Sequence, residues 1–326
     1  MIRIKAFPRI HISLIGMNHN GYRLNGGIGF SIASPTLNMS FEASDVIKIV
    51  DNRKNGFTTY ELKKIQNHLF GIIKRENLDQ SILCVINDSL IQSHIGFGSN
   101  TMIYLSCVEA LLFLNHRSYT ENDVVRLSGR GGTSGIGVNT YFKGGFIFDT
   151  GIKNSEKKVL APSSSYIGQL VQKPLLFKRI ELPQWELGLC IPNIINKTED
   201  DEKKFFQSNC PIEKEAVKEI LYESVYGITS ALIENDFNVF CKSIDAIQQT
   251  KWKVLERSLY GEELFQTEIN IRNCGAKCVG MSSLGPMLYF FGTDIESIVD
   301  KVRIKMPQCT CIKTVFNNSS RIVEDD

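Results

Sequence analysis

Three loops rich in glycine and small polar residues hold the side chains best suited to chemistry in this chain. The first reads HIGFGSNT over residues 94–101 and leads into a stretch with the apolar character of a helix. Glycine lets backbone amides approach a ligand, and the positive end of a helix dipole favours an anion. A plain helix N-cap is the alternative interpretation of this loop taken alone. We predict phosphate binding here by His94, Gly96, Gly98, Ser99, Asn100 and Thr101.

The second loop spans residues 129–137, GRGGTSGIG, and contains an arginine whose guanidinium suits bidentate contact with phosphate. Its predicted phosphate ligands are Arg130, Gly132, Thr133, Ser134 and Gly135. The third loop, GAKCVGMSSLGP over residues 275–286, places Ser282 and Ser283 between glycines and is predicted to contact the substrate. Three such loops in one chain favour a small molecule rich in phosphate as the ligand.

The elements that must position these loops divide the chain into two halves of different character. Up to about residue 150, short alternating apolar runs predict strands, and from about residue 205 the pattern is mostly helical. In the first half we predict strands at 10–15, 28–32, 46–50, 82–86 and 145–149, and helices at 58–74, 99–114 and 121–127. In the second half we predict strands at 185–191, 287–291 and 311–315, and helices at 213–233, 237–249 and 295–304.

The segments between these halves carry the predicted boundary. Residues 151–182 lack clear periodicity and are predicted to form a connecting segment or a lid. The charge run NKTEDDEKK at 196–204 is predicted to be a solvated surface. We therefore predict an N-terminal lobe at 1–160, a connecting segment with a strand at 161–204, and a C-terminal α+β lobe at 205–326.

Composition and charge exclude several classes of protein. With 43% hydrophobic and 22% charged residues, the 326-residue chain has the composition of a globular protein rather than of a disordered one. Its formal net charge of +2 supplies no general field for nucleic acid or an anionic membrane surface. No apolar run reaches the length of a membrane span, and the N-terminus lacks the apolar core of a secretory signal. We therefore expect no nucleic-acid or membrane partner and a cytoplasmic location.

The cysteines and histidines do not predict a metal site. Nine cysteines, an odd number spread from Cys84 to Cys311, suit reduced thiols. The five histidines lack the spacing of zinc ligands. We therefore predict no disulfide and no bound zinc.

The order of the three loops resembles that of the superfamily of small-molecule kinases that act on galactose, homoserine, mevalonate and phosphomevalonate. The superfamily's phosphate loop is similar to GFGSNT here, and its late small-residue motif is similar to GAKCVGMSSLGP. Within the superfamily, the family of β-ribofuranosylaminobenzene 5′-phosphate synthases has segments similar to PRIHISLIGMNHNGYRLNGGIGF and SGRGGTSGIGVNTYFKGGFIFDTG. The resemblance implies a two-lobed α+β fold, with an N-terminal mixed α/β lobe and a C-terminal ferredoxin-like α+β lobe.

These synthases transfer a ribosyl group from phosphoribosyl pyrophosphate to the ring carbon of 4-aminobenzoate that bears the carboxylate, and they release carbon dioxide and pyrophosphate. The resemblance therefore implies phosphoribosyl pyrophosphate and a small aromatic carboxylate as ligands and Mg²⁺ as a cofactor. It is also compatible with a homodimer. The expected substrate ligands in the opening segment are Arg9, Arg23, Asn25, Gly26 and Gly27, of which the arginine at 23 best suits a carboxylate. The expected catalytic residues are His11 and Lys143.

Two departures from the family patterns leave the activity open at this point. Synthases often have an acidic residue where this chain has Gly16, so the acceptor is 4-aminobenzoate or a related aromatic carboxylate. The kinases carry Pro-Ser-Gly-x-Asp, and Gly137 stands at the aspartate position here. A carboxylate usually orients the hydroxyl that attacks ATP, so this change disfavours a kinase, in which Asp149 would have to substitute. An ATP-dependent small-molecule kinase and a non-catalytic ligand-binding protein are the two alternatives.

Overall fold

The computed structural model describes residues 1–154, 160–167, 169 and 172–325. Its strands are β1 (Ile2–Ala6), β2 (Arg9–Gly16), β3 (Arg23–Ser31), β4 (Leu37–Ser44), β5 (Lys48–Asp51), β6 (Ser81–Ile86), β7 (Phe146–Asp149), β8 (Ile152–Lys153), β9 (Leu176–Ile180), β10 (Glu186–Ile191), β11 (Cys278–Met281), β12 (Leu288–Phe291), β13 (Thr310–Val315) and β14 (Ile322–Asp325). Its α-helices are α1 (Thr59–Glu76), α2 (Ser99–Leu114), α3 (Glu121–Ser128), α4 (Ile136–Lys143), α5 (Glu199–Asn209), α6 (Lys214–Tyr222), α7 (Ser230–Glu234), α8 (Phe237–Gln249), α9 (Lys251–Ser258), α10 (Gly261–Asn273) and α11 (Ile295–Lys305). A 3₁₀ turn at Ser163–Tyr166 and a π-helical segment at Glu223–Thr229 complete the described elements.

Two sheets hold the strands of the first half. One has the order β14-β1-β4-β6-β5, in which β5 runs parallel to β6 and β1 is antiparallel to both neighbours. The other has the order β2-β3-β7-β9, with β8 pairing to β3. Helix α2 packs on the first sheet and α4 on the second. The loops that precede these two helices are the first two glycine loops, so the sheets fix where those loops lie.

The sheet of the second half has the order β11-β12-β10-β13, with every pairing antiparallel. Along the chain β10 leads through helices to β11 and β12, and α11 then leads to β13. This is the β-α-β-β-α-β connectivity of a ferredoxin-like sheet. The predicted two-lobed α+β fold with a ferredoxin-like second lobe is therefore confirmed.

Helix α2 is the buried axis of the first half. Twelve of its 16 residues are buried, on all sides of the helix, as expected for a helix enclosed by other elements. Its one carboxylate, Glu109, is 0% exposed and accepts hydrogen bonds from Tyr141 Oη at 2.8 Å and Arg321 Nε at 3.1 Å. A buried charge is tolerated when it is paired in this way. The N-terminus of α2, where the first glycine loop ends, is thus held by a rigid core.

Most predicted elements are present with shifted ends, but two predictions are wrong. The charge run at 196–204 is not merely a solvated surface, because its residues form the first turns of α5 behind a capping box of Thr198 and Asp201. The segment 151–182 contains β9, which pairs antiparallel with β7. Residues 155–159, 168, 170 and 171 of that segment lie outside the described residues.

Other differences concern elements that the pattern did not predict. Strands β1 and β4 and helices α4, α9 and α10 were not predicted, and the predicted helix at 213–233 is interrupted by the π-helical segment. The proposed lobe boundaries stay a prediction, and β14 near the C-terminal end pairs with β1 in the first sheet. None of the described helices combines the length and the apolar character needed to cross a membrane.

Candidate active site

A cavity of about 140 Å³ lies where the three glycine loops meet. The first loop with the start of α2, the second loop with the start of α4, and the third loop each contribute to its lining. The 3₁₀ turn and α5 complete the lining with Ser163, Ser164, Glu202 and Phe206. The cavity therefore joins elements from both lobes and from the segment between them.

The first and third loops are locked together by backbone contacts that require glycine. A Cβ added at Gly285 would lie 2.1 Å from the carbonyl carbon of Ile95, and one at Gly96 would lie 2.7 Å from the carbonyl oxygen of Ser282. Ser282 Oγ donates to the Gly96 carbonyl at 2.8 Å, and the Met287 amide donates to the Ile95 carbonyl at 3.2 Å. These glycines therefore serve the packing of one loop on the other.

Two arginines line the cavity, and neither forms an ion pair with another described residue. Arg130 is 7% exposed, and its Nε and Nη2 donate to Thr101 Oγ1 at 3.3 and 3.1 Å. Arg9, which is partly buried, donates from Nη1 to the Gly96 carbonyl. Burial and the charge of Arg130 lower the pKa of Arg9 to about 10, although the charges of Glu202 and Glu256 act in the opposite direction, and burial lowers the pKa of Arg130. Buried cations that make no direct ion pair are costly, so this pair indicates an anion-binding site.

Three polar atoms in the lining have no hydrogen-bond partner among the described residues. They are Asn100 Oδ1, Arg130 Nη1 and Ser164 Oγ. Buried polar atoms nearly always have a partner, so three such atoms around one cavity indicate a polar ligand. The N-cap of α2 is Gly98, which has φ 77° and no side chain to cap the first amides of the helix. The Thr101 amide donates to the Gly98 carbonyl at 3.0 Å, but no acceptor among the described residues takes the Ser99 and Asn100 amides. These two amides can therefore bind an anion.

His94 is held between two carboxylates at the edge of the cavity. Its Nε2 lies 2.6 Å from Glu61 Oε1, and its Nδ1 lies 3.8 Å from Glu202 Oε1. Burial lowers the pKa of His94, but the interactions with Glu202 and Glu61 outweigh it and raise this pKa to about 10. The protonated imidazole thus ties α1 to α5. It also borders a second groove of about 760 Å³ that extends from the cavity along residues 191–200.

The kinase aspartate position is occupied by Gly137, which lines the cavity. A Cβ there would lie 3.1 Å from Thr101 Cγ2, so a carboxylate at this position would require Thr101 to move. Asp149 is 0% exposed and outside the described lining, and its carboxylate accepts a hydrogen bond from the Gly135 amide at 2.9 Å. Asp149 is therefore not placed to orient a substrate hydroxyl directly, as the kinase alternative requires.

The structure brings most of the predicted site residues together. Those in the lining are Arg9, His11, His94, Gly96, Gly98, Ser99, Asn100, Thr101, Arg130, Thr133, Ser134 and Ser283. Those outside the described lining are Arg23, Asn25, Gly26, Gly27, Gly132, Gly135, Lys143 and Ser282. The convergence of the loops therefore follows the prediction, whereas several assignments of single residues need correction.

Two cations that were expected at the site have partners elsewhere. Lys143 Nζ lies 3.1 Å from Glu121 Oε1, at the far end of α4 from the cavity. Arg23 donates from Nε to the Thr150 carbonyl at 2.9 Å and from Nη2 to the Gly151 carbonyl at 2.6 Å. Both side chains lie outside the described lining and are bonded to other parts of the protein, so their expected contacts with a ligand stay a prediction.

Other expected ligands hold the loops in place. Asn25 Nδ2 donates to the Gly132 carbonyl at 3.1 Å, and the Gly26 amide donates to the Thr133 carbonyl at 3.1 Å. Strand β3 thus anchors the second loop. Gly16, where the synthases often have an acidic residue, lies outside the described lining, and a Cβ there would lie 2.7 Å from the Asn25 carbonyl oxygen.

The remaining residues in this group fill tight spaces between elements. A Cβ at Gly132 would lie 2.3 Å from the ring of Tyr166, and a Cβ at Gly135 would lie 2.8 Å from Asn139 Nδ2. Ser282 is 0% exposed, and its Oγ accepts a hydrogen bond from the His11 amide at 3.1 Å. Its role is to link β2 to the third loop rather than to meet a ligand.

Sequence reasoning missed several residues of the lining. Glu202 was placed in a solvated run, although the Thr198–Asp201 capping box ahead of two phenylalanines signals a helix with a buried face. Glu256 is 2% exposed and is held by Lys253 Nζ at 2.5 Å. Nothing in the sequence signals this carboxylate, because α9 itself was not predicted.

The fold defines the class of protein to which the chain belongs. The structure of homoserine kinase from Cytophaga hutchinsonii superposes with a TM-score of 0.67 at 14% identity, covering 99% of this chain and 97% of that one. Mevalonate diphosphate decarboxylase from Staphylococcus aureus gives 0.67 at 13% identity, covering 100% of this chain and 99% of that one. Mevalonate kinase from L. major gives 0.67 at 15% identity, covering 98% and 96%. The chain therefore has the fold of this small-molecule kinase superfamily.

Sequence similarity narrows the class to one family. No family model matches the chain. It is 31% identical to β-ribofuranosylphenol 5′-phosphate synthase from Archaeoglobus fulgidus, over 99% of this chain and 100% of that protein. It is 29% identical to the enzyme of the same name from Methanothermobacter thermautotrophicus, over 88% of this chain and 87% of that protein. The chain belongs to the β-ribofuranosylphenol 5′-phosphate synthase family, which confirms the resemblance found in the sequence.

Proposed function

We propose that this chain transfers a 5-phosphoribosyl group from phosphoribosyl pyrophosphate to the carboxylate-bearing ring carbon of a para-substituted benzoate, with release of pyrophosphate and carbon dioxide. The relatives are named for a phenol that carries a ribofuranosyl 5′-phosphate. Such a product requires an acceptor with a hydroxyl group on the ring. The acceptor we propose is therefore 4-hydroxybenzoate, with 4-aminobenzoate as the close variant that carries an amino group instead.

The observation that supports this proposal is the pair of arginines without counter-ions beside the uncapped start of α2. Among the described residues, Arg9 and Arg130 donate to neutral acceptors, and Arg130 Nη1 has no partner. As the bond between the ribose C1 and pyrophosphate breaks, its electron pair stays on the pyrophosphate and negative charge builds up there. Preorganised cations and amides stabilise such charge without having to reorganise.

Mg²⁺ fits this lining as a companion of the pyrophosphate. The ion prefers oxygen ligands and usually combines one or two carboxylates with substrate phosphates and water. Glu202 and the unpartnered Oδ1 of Asn100 are oxygen donors in the lining. The described residues contain no cluster of three metal-ligating side chains, so the substrate would complete the coordination. Bound there, the ion would neutralise charge on the leaving group.

Apolar side chains in the lining would protect the reacting ribose. Leu14, Phe206 and Leu284 border the cavity together with the polar loops. The ribose C1 becomes electron-poor as pyrophosphate departs, and water at that point would hydrolyse the donor. Excluding water favours the ring carbon as the nucleophile.

Mass spectrometry of a reaction with Mg²⁺, phosphoribosyl pyrophosphate and a carboxyl-¹³C acceptor tests the proposal. We expect labelled carbon dioxide, pyrophosphate and a ribosylated phenol or aniline in equal amounts. Parallel samples with ATP and a panel of small alcohols test for kinase activity. Release of pyrophosphate without labelled carbon dioxide would exclude these acceptors, and formation of ADP alone would replace the proposal with the kinase alternative.

A further inference from the structure

A chain of hydrogen bonds leads from the cavity lining to a carboxylate buried behind it. His11 Nε2 lies 3.1 Å from Ser134 Oγ, which donates to Asp149 Oδ2 at 3.3 Å. His11 and Ser134 line the cavity, whereas Asp149 is 0% exposed. Asp149 can therefore act on a ligand only through its two partners.

The hydrogen bonds that Asp149 accepts determine which atom is the donor in the Ser134–Asp149 and His11–Ser134 hydrogen bonds. Its Oδ1 accepts from the Gly151 amide at 2.8 Å, and its Oδ2 accepts from the Gly135 amide at 2.9 Å. An ionised carboxylate only accepts, so Ser134 gives its one hydroxyl proton to Asp149. The hydrogen between His11 and Ser134 must then belong to His11 Nε2. Nδ1 is left as the unprotonated nitrogen, able to accept a proton.

The position of the His11 ring is fixed by its neighbours. A Cβ added at Gly27 on β3 would lie 3.3 Å from both Cε1 and Nε2 of His11, so glycine at 27 gives this edge of the ring its space. The His11 backbone is held from the other side, where its amide donates to Ser282 Oγ at 3.1 Å and its carbonyl accepts from the Ser283 amide at 3.1 Å. A ring held this way keeps its orientation while a ligand binds.

The surroundings of these hydrogen-bonded side chains favour a neutral His11 and an Asp149 that can take up a proton. Burial and the charges of Arg9 and Lys253 lower the pKa of His11 well below its ordinary value. Burial raises the pKa of Asp149 to about 7, although backbone amides, Ser134 and the charge of Arg23 act in the opposite direction. A proton that arrives at His11 is therefore more stable on Asp149.

We propose that His11, Ser134 and Asp149 form a proton relay that serves acceptors with a para hydroxyl group, which rests on the proposed function above. The acceptor's hydroxyl proton passes to His11 Nδ1, the Nε2 hydrogen passes to Ser134 Oγ, and the serine hydroxyl hydrogen passes to Asp149 Oδ2. The electron pair of the broken O–H bond moves into the ring. The ring carbon that bears the carboxylate then bonds to the ribose C1 as pyrophosphate leaves.

The same relay returns the proton when carbon dioxide departs. The electron pair of the broken bond to the carboxylate restores the aromatic ring and puts negative charge back on the acceptor's oxygen, which takes up the proton. No proton is gained or lost overall. An amino group needs no such transfer, because its nitrogen lone pair drives the attack directly. His11 is the catalytic residue of the relay, and Ser134 and Asp149 are positioning residues that allow the protein to use phenols as acceptors.

Steady-state kinetics with the two acceptors test the relay. In His11→Gln, Ser134→Ala and Asp149→Asn, kcat for 4-hydroxybenzoate is expected to fall by about 100-fold relative to kcat for 4-aminobenzoate in the same variant, the usual contribution of a general base. Ser134→Thr, which keeps the hydroxyl, should retain most of the activity. An acceptor with fluorine beside its hydroxyl group is more acidic and should restore turnover in His11→Gln. Equal losses on both acceptors would overturn the relay.

The pH profile provides a second readout that a structural role would not produce. The relay needs ionised Asp149, so kcat for 4-hydroxybenzoate should fall as the pH drops below about 7. This fall in kcat at low pH should be absent in Asp149→Asn and absent with 4-aminobenzoate. A fall in kcat that persists with both acceptors and in Asp149→Asn would contradict the proposal.

The matched control is His68→Gln, which alters another buried histidine. His68 is 8% exposed, has a ring nitrogen 2.9 Å from the Leu127 carbonyl, and lies outside the described lining. This variant should leave the ratio of the kcat values for the two acceptors unchanged.

Nitrogen NMR of wild-type His11 at pH 8 should show an unprotonated Nδ1, and a protonated Nδ1 would overturn the relay. Failure of the wild type to use either acceptor would refute the proposed function instead, and the NMR result would still decide the relay.

Discussion

Two clusters of buried charge flank the third loop, and they differ in how their charges are paired. Near α9, Lys253 Nζ lies 2.5 Å from Glu256 Oε2, and Trp252 Nε1 donates to the other oxygen of Glu256 at 2.7 Å. Arg9 and Arg130 of the cavity donate to neutral acceptors within the part of the chain that the structure describes. Glu256 also lines the cavity, but both of its oxygens are bonded to neighbours in α9. The first cluster therefore contains its own ion pair, whereas the two arginines are left to pair with a bound anion.

This difference distinguishes charges that stabilise the fold from charges that serve a ligand. Burial raises the pKa of Glu256 and lowers that of Lys253, and the charge of each residue acts against the shift of the other. Removing one partner leaves the other buried and unpaired. Removing Arg130 from the cavity breaks no ion pair among the described residues, because its side chain donates to the Thr101 hydroxyl. The two clusters should therefore respond in opposite ways to the loss of a cation.

The largest effect is expected for Lys253→Met. It leaves the Glu256 carboxylate buried without its counter-ion and should lower the free energy of unfolding by about 3–5 kcal/mol, measured by urea denaturation. The double variant Lys253→Met with Glu256→Leu removes both charges and should recover most of this loss. A change below about 1 kcal/mol would show that the pair is solvated and would remove the contrast between the clusters.

The next effect is expected for Arg130→Met. Loss of a charged hydrogen-bond donor should weaken the binding of magnesium pyrophosphate by about 10- to 100-fold, measured by calorimetry. The melting temperature should stay the same or rise, because an unpaired buried charge is removed. Arg126→Met, which changes an arginine on the exposed side of α3, should alter neither quantity. Lower stability with unchanged affinity would place Arg130 in the fold rather than in the anion site.

A smaller effect is expected for His94→Asn. Asparagine tolerates the positive φ of 61° at this position but cannot carry the charge that Glu61 and Glu202 stabilise. The free energy of unfolding should fall by about 1–3 kcal/mol below pH 6.5. Because the folded-state pKa is raised to about 10, the difference from wild type should shrink as the pH rises toward 10. His116→Asn, at an exposed residue with a φ of 53°, is the matched control for the backbone conformation and should lower the free energy of unfolding less than His94→Asn does.

The smallest effects on the free energy of unfolding are expected for two glycine substitutions, one in α1 and one in the second loop. Nothing lies within 4 Å of a Cβ added at Gly71, which is exposed in α1, so Gly71→Ala should raise the free energy of unfolding by about 0.5–1 kcal/mol. Gly132→Ala should lower it, because the added carbon would lie 2.3 Å from the Tyr166 ring. Thermal denaturation of both variants measures the difference. A gain at both positions would mean that the second loop does not need its glycine for packing.

The convergence of the three loops could be predicted because their residue types are tied to local structure. Glycine before a helix marks a helix start at Ser99, and the apolar pattern places that helix correctly. The clustering of serine, threonine and arginine near these starts was therefore a sound guide to the cavity. Similarity to a known family supplied the two-lobed fold, which local patterns do not determine.

The side-chain pairing could not be predicted, because it depends on contacts between distant segments. Lys143 precedes a glycine pair in the sequence but ends beside Glu121, 22 positions earlier in the chain. Glu202 lies in a run of charges, yet it reaches the cavity because Phe205 and Phe206 bury one face of α5. Burial of a helix face depends on what packs against it, and a charged N-terminal turn conceals that face in the sequence.

The backbone hydrogen bonds between the first and third loops determine which parts of the cavity wall can move. Hydrogen bonds from Met287 to Ile95 and from Ser283 to His11 join the two lobes at the cavity, so the lobes cannot swing apart without breaking them. We therefore expect any opening to occur at the 3₁₀ turn, whose Ser165 amide donates to the nearby Pro162 carbonyl, and at the edge of α5. Ligand entry thus becomes a local event on one side of a rigid frame. The amides of Met287 and Ser283 should exchange with solvent far more slowly than that of Ser165.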